Sequence, residues 1–291
     1  MADNRTLAAL RSLVPRRFRA DIPVVPVVRL TGAIGFSTPL RPGLTLASCA
    51  RSLERAFAVR RASAVALMIN SPGGSAVQSH LIFKRVRALA EEKKLPVIAF
   101  VEDVAASGGY MIACAAEEIV ADVSSIVGSI GVIGGSFGFP RLLEKIGIER
   151  RLYTAGEHKG MLDPFLPEKT EDVERLQEIQ KHIHTTFIAL VKSRRTGKLA
   201  GPESTLFSGE YWAGERALEL GLIDRLGDLR SFLRERFGEK VATPLVAERG
   251  FLGRRVPGIG ASVDDPWERF GLAENIVSAL EARALWARYG L

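Results

Sequence analysis

The stretch Val65-Ala66-Leu67-Met68-Ile69-Asn70-Ser71-Pro72-Gly73-Gly74 runs a short apolar segment straight into a glycine pair. A second stretch, Pro96-Val97-Ile98-Ala99-Phe100-Val101 followed by Ala105-Ala106-Ser107-Gly108-Gly109, does the same. Apolar runs of this length suit strands of a parallel sheet covered on both faces. In open α/β sheets ligands collect outside the carboxyl ends of the strands, and a glycine there lets a backbone N–H approach a substrate unobstructed. The first loop offers donors and the second a hydroxyl, a pairing that points to hydrolytic chemistry.

Working outward, the pattern alternates strand and helix: strand Val24–Leu30, helix Leu44–Val59, strand Ala64–Ile69, helix Ser75–Glu92 and strand Val97–Val101. Such alternation predicts an α/β class with a parallel sheet and flanking helices. Ser107 is expected to open the next helix, through Ala116, which sets its hydroxyl at a helix N-terminus where anions are favoured. Beyond it, after the stretch Val127–Ile133, the pattern predicts a helix Pro140–Ile146, a strand Glu149–Thr154 and a long amphipathic helix Glu171–Arg194. A shorter helix, Gly214–Gly221, leads into Leu222-Ile223-Asp224. Past Gly238 the composition loosens until an apolar helical pattern at Leu272–Trp286. Three parts are expected: a basic arm 1–21, a main domain 22–238, and a tail 239–291 serving assembly.

Composition narrows the function. The chain has 291 residues, 47% hydrophobic and 25% charged, enough for a substantial core and unlike a disordered chain. Its two cysteines, Cys49 and Cys114, match no metal-ligand spacing and suit small core residues in a reducing compartment. The net charge of +7 is scattered, with no basic stripe interleaved with aromatics, which argues against nucleic acid. No segment approaches the ~20 apolar residues of a membrane span, and no secretory leader is legible, so a cytoplasmic location is expected. Arg5, Arg11, Arg16, Arg17 and Arg19 beside Leu7, Leu10, Leu13, Val14 and Phe18 form a short basic amphipathic pattern, suited to peripheral contact with an anionic membrane or to subunit packing.

A serine nucleophile needs a base. His80 lies on the helix after the first glycine loop, and His182 and His184, two residues apart, cannot share a helix face. His158 and Lys159 share the polar loop Ala155-Gly156-Glu157-His158-Lys159-Gly160. Serine–lysine pairs are an established alternative to the triad, and a lysine serves as base once burial has lowered its pKa. A buried Lys159 would therefore be a competent base, with His158 the alternative; the sequence leaves open whether Lys159 is buried. The structural alternatives are a helix-capping serine at Ser107, a solvated loop lysine at Lys159 and a plain turn residue at Ser129.

From Ile22 to Gly238 the chain resembles the signal peptide peptidase A family, serine–lysine peptidases of the Clp/crotonase-like fold. Five segments carry the resemblance in order: Asn70–Gly74, Ala106–Tyr110, Gly128-Ser129-Ile130-Gly131-Val132, Lys159–Phe165, and Phe207-Ser208-Gly209 with Ala217–Asp224. The resemblance implies Ser107 as nucleophile, Lys159 as general base and Ser129 as its orienting partner. It also implies an oxyanion hole from the N–H groups of Gly74 and Gly108, and substrate contacts at Gly73, Gly109 and Ile130. It implies no cofactor and no metal, peptide substrates such as signal-peptide remnants or unfolded membrane-associated polypeptides, and a homo-oligomer in which serine and lysine come from neighbouring subunits. The chain resembles the half-length form without a transmembrane segment. The competing readings are a non-catalytic membrane-surface scaffold of the same fold and a crotonase-type acyl-CoA enzyme, which would need a glutamate pair not evident at these loops.

Overall fold

The computed structural model describes residues 22–35, 43–246, 280 and 283–291. The strands are β1 (Val27–Thr31), β2 (Val65–Ser71), β3 (Val97–Ala106), β4 (Glu118–Ala121), β5 (Ile126–Gly128), β6 (Tyr211–Ala213) and β7 (Arg225–Leu226). Between them run α1 (Leu46–Phe57), α2 (Ala76–Lys93), α3 (Gly108–Ala113), α4 (Pro140–Lys145), α5 (Thr170–Arg194), α6 (Glu203–Leu206), α7 (Gly214–Glu219) and, last, α8 (Leu229–Phe237). The apolar runs become parallel strands because both of their faces find cover. One face of β1 to β3 packs Leu30, Leu67, Ile69 and Ala99 against Leu53 of α1 and Ile82 and Val86 of α2. The other packs Val27, Ala66, Ile98 and Phe100 against Phe232 and Leu233 of α8. Each large apolar side chain buried this way contributes about 1.5–3 kcal/mol before entropy is charged. The expected α/β class with a parallel sheet and flanking helices is what forms.

The sheet order is β1-β2-β3-β4-β7, all parallel, and it forks at β3. The first half of β3 pairs with β4 through Ile98↔Glu118 to Val101↔Ala121, and its last three residues pair with β5 through Val104↔Ile126 to Ala106↔Gly128. A turn makes the fork: Ser124 N–H donates to Asp122 Oδ1 at 2.9 Å, and the buried Ser125 hydroxyl donates to the Glu102 carbonyl at 2.6 Å. β6 then closes antiparallel on β5. The fork therefore brings the ends of β3 and β5 side by side, where Ser107 and Ser129 follow.

Helix starts match their sequence cues. Thr45 and Ser48 form a reciprocal capping box on α1, and Gln78 Oε1 accepts from Leu46 N–H at 3.0 Å, tying α1 to α2. Ser75 caps α2. At the far end Arg195, almost wholly buried, donates to the Gly221 carbonyl and to Asp224, which also accepts from Lys198 and Ile119 N–H. Burial opposes the Asp224 charge, but these donors outweigh it and hold its carboxyl below the ordinary range.

Two expectations differ in detail. β3 continues to Ala106 rather than ending at Val101, because Glu102 and Asp103 interrupt its apolar run without ending its ladder. β5 ends at Gly128, where Ser129 turns the chain with φ 53°. Residues 149–154 form no strand, and their apolar side chains Leu152 and Tyr153 are exposed: without a neighbouring ladder, β-propensity alone does not make a strand. The described parts of the tail pack on the domain. Residues 241–246 run parallel to β1, with Val25 N–H donating to Ala242 and Val27 N–H to Pro244, while residues 283–287 are helical. The basic arm and most of the C-terminal apolar pattern lie outside the described residues. Among those described, no helix is long and apolar enough to cross a membrane.

Candidate active site

Three turns meet where β2, β3 and β5 end. After β2, the Ser71 hydroxyl donates to the Gly32 carbonyl at 2.7 Å and accepts from Gly73 N–H at 3.2 Å, which fixes the loop. Gly73 and Gly74 have φ of 97° and 139°, a region that glycine alone enters freely. A Cβ on Gly73 would stand 2.7 Å from the Ser107 Cβ, and one on Gly74 only 2.2 Å from the Ile34 carbonyl oxygen. Ile34 bonds to the flanking groups, its N–H to the Gly73 carbonyl and its carbonyl to Ser75 N–H, both at 2.8 Å. The N–H of Gly74 has no partner among the described residues.

After β3, Ser107 takes φ 51° and ψ −121°, a conformation costing a non-glycine residue on the order of 1–3 kcal/mol. Its N–H donates to the Gly128 carbonyl at 2.8 Å, and its carbonyl accepts from Met111 N–H at 3.0 Å. The side chain makes no capping hydrogen bond, so the hydroxyl is free for other work. The adjacent Gly108 N–H also has no partner among the described residues. Gly108 is packed so closely that a Cβ would fall 2.1 Å from the Ser79 hydroxyl, and one on Gly109 would fall 2.6 Å from the Ser71 carbonyl oxygen. After β5, Ser129 is 6% exposed and donates its N–H to the Glu210 carbonyl at 2.6 Å. The Ala106↔Gly128 register sets Ser107 and Ser129 one step beyond the same rung, both with positive φ.

The sequence-predicted residues thus divide. Ser107, Ser129, Gly73, Gly74 and Gly108 come together. Gly109 is buried against β2, and the Ile130 side chain lies wholly in the core, so neither side offers a subsite wall; a substrate would meet Ile130 only through its backbone. Lys159, whose burial the sequence leaves open, is not buried in the single chain. It sits exposed in a turn whose N–H bonds back to Gly156, and its ammonium bonds neither to Ser107 nor to Ser129. The loop carrying it is nonetheless fastened: Asp163 accepts from Phe165 N–H and from Arg150, both at 2.9 Å, and these bonds hold its carboxyl below the ordinary range. His158 is exposed beside Lys159, and His80 is stacked on Phe83, away from the three turns. Cys114 lies buried behind α3, where desolvation pushes its thiol up to about 12, which makes it inert.

Sequence reasoning missed one neighbour of the site. His184 on α5 donates from Nε2 to the Ile130 carbonyl at 3.0 Å, holding the residue after Ser129. Its i, i+4 neighbour Gln180 reaches the same segment, 2.6 Å from where a Gly134 Cβ would stand. That spacing on the inner side of α5 was the available signal.

The sequence model of peptidase family S49 matches residues 89–239. A protein of Brucella abortus named Na(+)/H(+) antiporter NhaA is 58% identical over 97% of this chain, which covers only 39% of that protein. A putative protease of Synechocystis is 32% identical over 73% of this chain and 78% of its own length. The chloroplastic serine protease SPPA of Arabidopsis thaliana is 34% identical over 70% of this chain and 31% of its own. Among solved structures, a membrane-bound stomatin-specific protease is similar over 84% of this chain and 96% of its own, at 20% identity and a TM-score of 0.47.

Proposed function

Because the chain belongs to peptidase family S49, we propose that it is a serine endopeptidase in which Ser107 is the nucleophile and Lys159 the general base. The observation that carries the reading is the strained Ser107 beside the N–H groups of Gly74 and Gly108; among the described residues the Ser107 side chain makes no capping hydrogen bond and neither N–H has a partner. Backbone N–H groups aimed at one point are what a tetrahedral oxyanion requires, and each typically contributes a few kcal/mol to the transition state. The Ser107 Oγ attacks the scissile carbonyl carbon and its proton passes to the amine of Lys159, which must first lose its own proton through burial against the neighbouring copy. The carbonyl oxygen becomes an oxyanion that accepts from Gly74 and Gly108. Collapse expels the amine product, which takes the proton from the Lys159 ammonium and leaves an acyl-Ser107 ester. Water, deprotonated by the same amine, hydrolyses that ester and restores the serine.

Lys159 is exposed in the single chain, which supports a homo-oligomer in which the lysine of one copy completes the serine turn of the next. Ser129, nearly buried one step past the Ala106↔Gly128 rung, is suited to receive and orient the incoming ammonium. The substrates are extended peptides, signal-peptide remnants or unfolded membrane-associated segments. The occurrence of a sequence 58% identical to this chain within a longer protein named as an antiporter supports work beside a membrane.

The test is intact-mass spectrometry after treatment of the assembled protein with a serine-reactive phosphonate. A single adduct that maps to Ser107 and disappears in Ser107→Ala is the expected result. An assembled sample that takes up no adduct would turn the reading toward a non-catalytic scaffold.

A further inference from the structure

Behind the three turns, the sheet extension of β3 and β5 has two apolar faces. Ala105 and Val127 point into the main core, while Val104, Ala106 and Ile126 point the other way. The cover for this second face comes from far along the chain, from Trp286 and Tyr289. Tyr289 is 7% exposed and reaches two of the turns directly and the third through Tyr211. Its ring packs on Val104 and Ala106, the last residues before Ser107 on that face. Its hydroxyl lies 3.4 Å from the Pro72 carbonyl oxygen, immediately before Gly73 and Gly74. Its ring also meets that of Tyr211 edge-on with centroids 5.0 Å apart, and Tyr211 is the residue paired with Gly128 in the β5–β6 ladder, just before Ser129. Tyr211 in return donates its hydroxyl to the Arg288 carbonyl at 3.1 Å, which locks the contact from the other side.

We propose that Tyr289 is a positioning residue, a clasp that holds the Gly73–Gly74 loop, the Ser107 turn and the Ser129 turn in mutual register from behind; the proposal rests on the reading of Ser107 given above. The physical need is plain. Gly73, Gly74, Ser107 and Ser129 all have positive φ, and strained turns persist only where their surroundings over-determine them. The Ser107 and Ser129 turns are joined by the bond from Ser107 N–H to the Gly128 carbonyl, whereas Tyr289 ties both to the Gly73–Gly74 loop, touching Pro72 and Ala106 directly and the strand beside Gly128 through Tyr211. At 3.4 Å the phenol–carbonyl bond is at the weak limit of such bonds, so ring packing does most of the holding. The benzene ring alone should therefore suffice.

The experiment measures, in the full chain, the rate constant for phosphonate modification of Ser107 together with Tm, in wild type, Tyr289→Ala, Tyr289→Phe and Leu233→Ala. Leu233 is a buried residue of α8 on the same side of the sheet, remote from the turns, and serves to lower Tm without touching them. Tyr289→Ala is expected to react about 30-fold more slowly, within the ~100-fold that a 1 Å misplacement can cost. Tyr289→Phe should stay within about threefold of wild type and Leu233→Ala within about twofold, because neither displaces the turns. A Tyr289→Ala protein that reacts as wild type does, or a Leu233→Ala protein slowed equally at the same loss of Tm, overturns the proposal. Hydrogen exchange reads the clasp without any chemistry at Ser107. In Tyr289→Ala the bonded amides of Ser75, Ser107 and Ser129 should exchange at least about tenfold faster while those of β1 are unchanged. If wild type takes up no phosphonate, the nucleophile reading fails, and the exchange result alone upholds or overturns the clasp.

Discussion

The two regions that carry the proposed chemistry are built in opposite ways. Around Ser107 every backbone turn is crowded: glycines stand where a Cβ would strike backbone within 3 Å, and the neighbouring side chains are buried. The segment from Ile133 to Phe165, which carries Lys159, leaves its apolar side chains in solvent, with Phe137 81% and Tyr153 90% exposed and Leu142, Ile146 and Ile148 exposed as well. Large exposed apolar patches are a common mark of interaction sites. In the proposed assembly, the serine region is completed by its own chain and the lysine region by a neighbouring copy. The sharpest way to break that contrast is Lys159→Ala. With no ammonium contact among the described residues of its own chain, the change should leave Tm where it was while kcat/KM on a peptide substrate falls by about 10³-fold, within the range of general-base losses. Mixing Lys159→Ala with Ser107→Ala subunits should restore activity at about a quarter of the sites if the pair forms between copies. A mixture as dead as either parent would mean that one chain supplies both groups.

The next prediction sets one glycine from each region against the other. In Gly74→Ala the new Cβ meets the Ile34 carbonyl oxygen at 2.2 Å with φ at 139°, so backbone must shift, at a cost of about 2–4 kcal/mol. For a domain of this size that lowers Tm by roughly 5–12 °C. Gly135, at the start of the open arm, has nothing within 4 Å of its Cβ position, and Gly135→Ala should change stability by less than about 0.5 kcal/mol. Calorimetry of the two variants separates them. Equal losses would mean that the arm is as tightly determined as the turns. A smaller effect is expected from replacing Phe137 and Tyr153 together by serine. The assembly should dissociate at about tenfold higher protein concentration by sedimentation velocity, with the Tm of the separated chain unchanged. Unchanged association would place the subunit contact elsewhere.

How much of this was legible in the sequence follows from how each feature is held. β2 and α2 could be read because their burial is local and periodic: Val65–Ile69 is apolar throughout, and Ser75 is a capping residue just ahead of a helix. The glycine turns could be read because glycine is the residue type that positive φ selects. The strand expected at residues 149–154 could not be judged, since Leu152 and Tyr153 have the propensity while the pairing partner is not supplied by nearby sequence. The extent of β3 was hidden by Glu102 and Asp103. Glu102 is accommodated by Arg29 across the sheet and by Ser125 on its backbone, neither adjacent in sequence. Tyr289 behind Ser107 and His184 behind Ile130 are contacts between distant elements, and no spacing rule links Tyr289 to a glycine loop more than two hundred residues earlier.

His184 gives the smallest predicted effect, and it tests the seam between the two regions. The Ile130 carbonyl is the last group of the crowded half before the chain leaves for the arm at Gly131, and the bond from His184 Nε2 fixes it to α5. A carbonyl can only accept, so the proton must reside on Nε2. Glutamine places an amide donor at nearly the same reach, whereas alanine leaves the carbonyl without that partner. A neutral hydrogen bond of this kind is worth about 0.5–1.5 kcal/mol, so His184→Ala should lower kcat by about two- to tenfold and His184→Gln by less than about twofold. If the bond merely stabilises the fold, Tm falls in His184→Ala and kcat per active site, titrated with the phosphonate, does not. If it holds the seam, kcat falls while KM for short peptides is unchanged, because the Ser129 turn is displaced relative to Ser107 without altering where the peptide first binds.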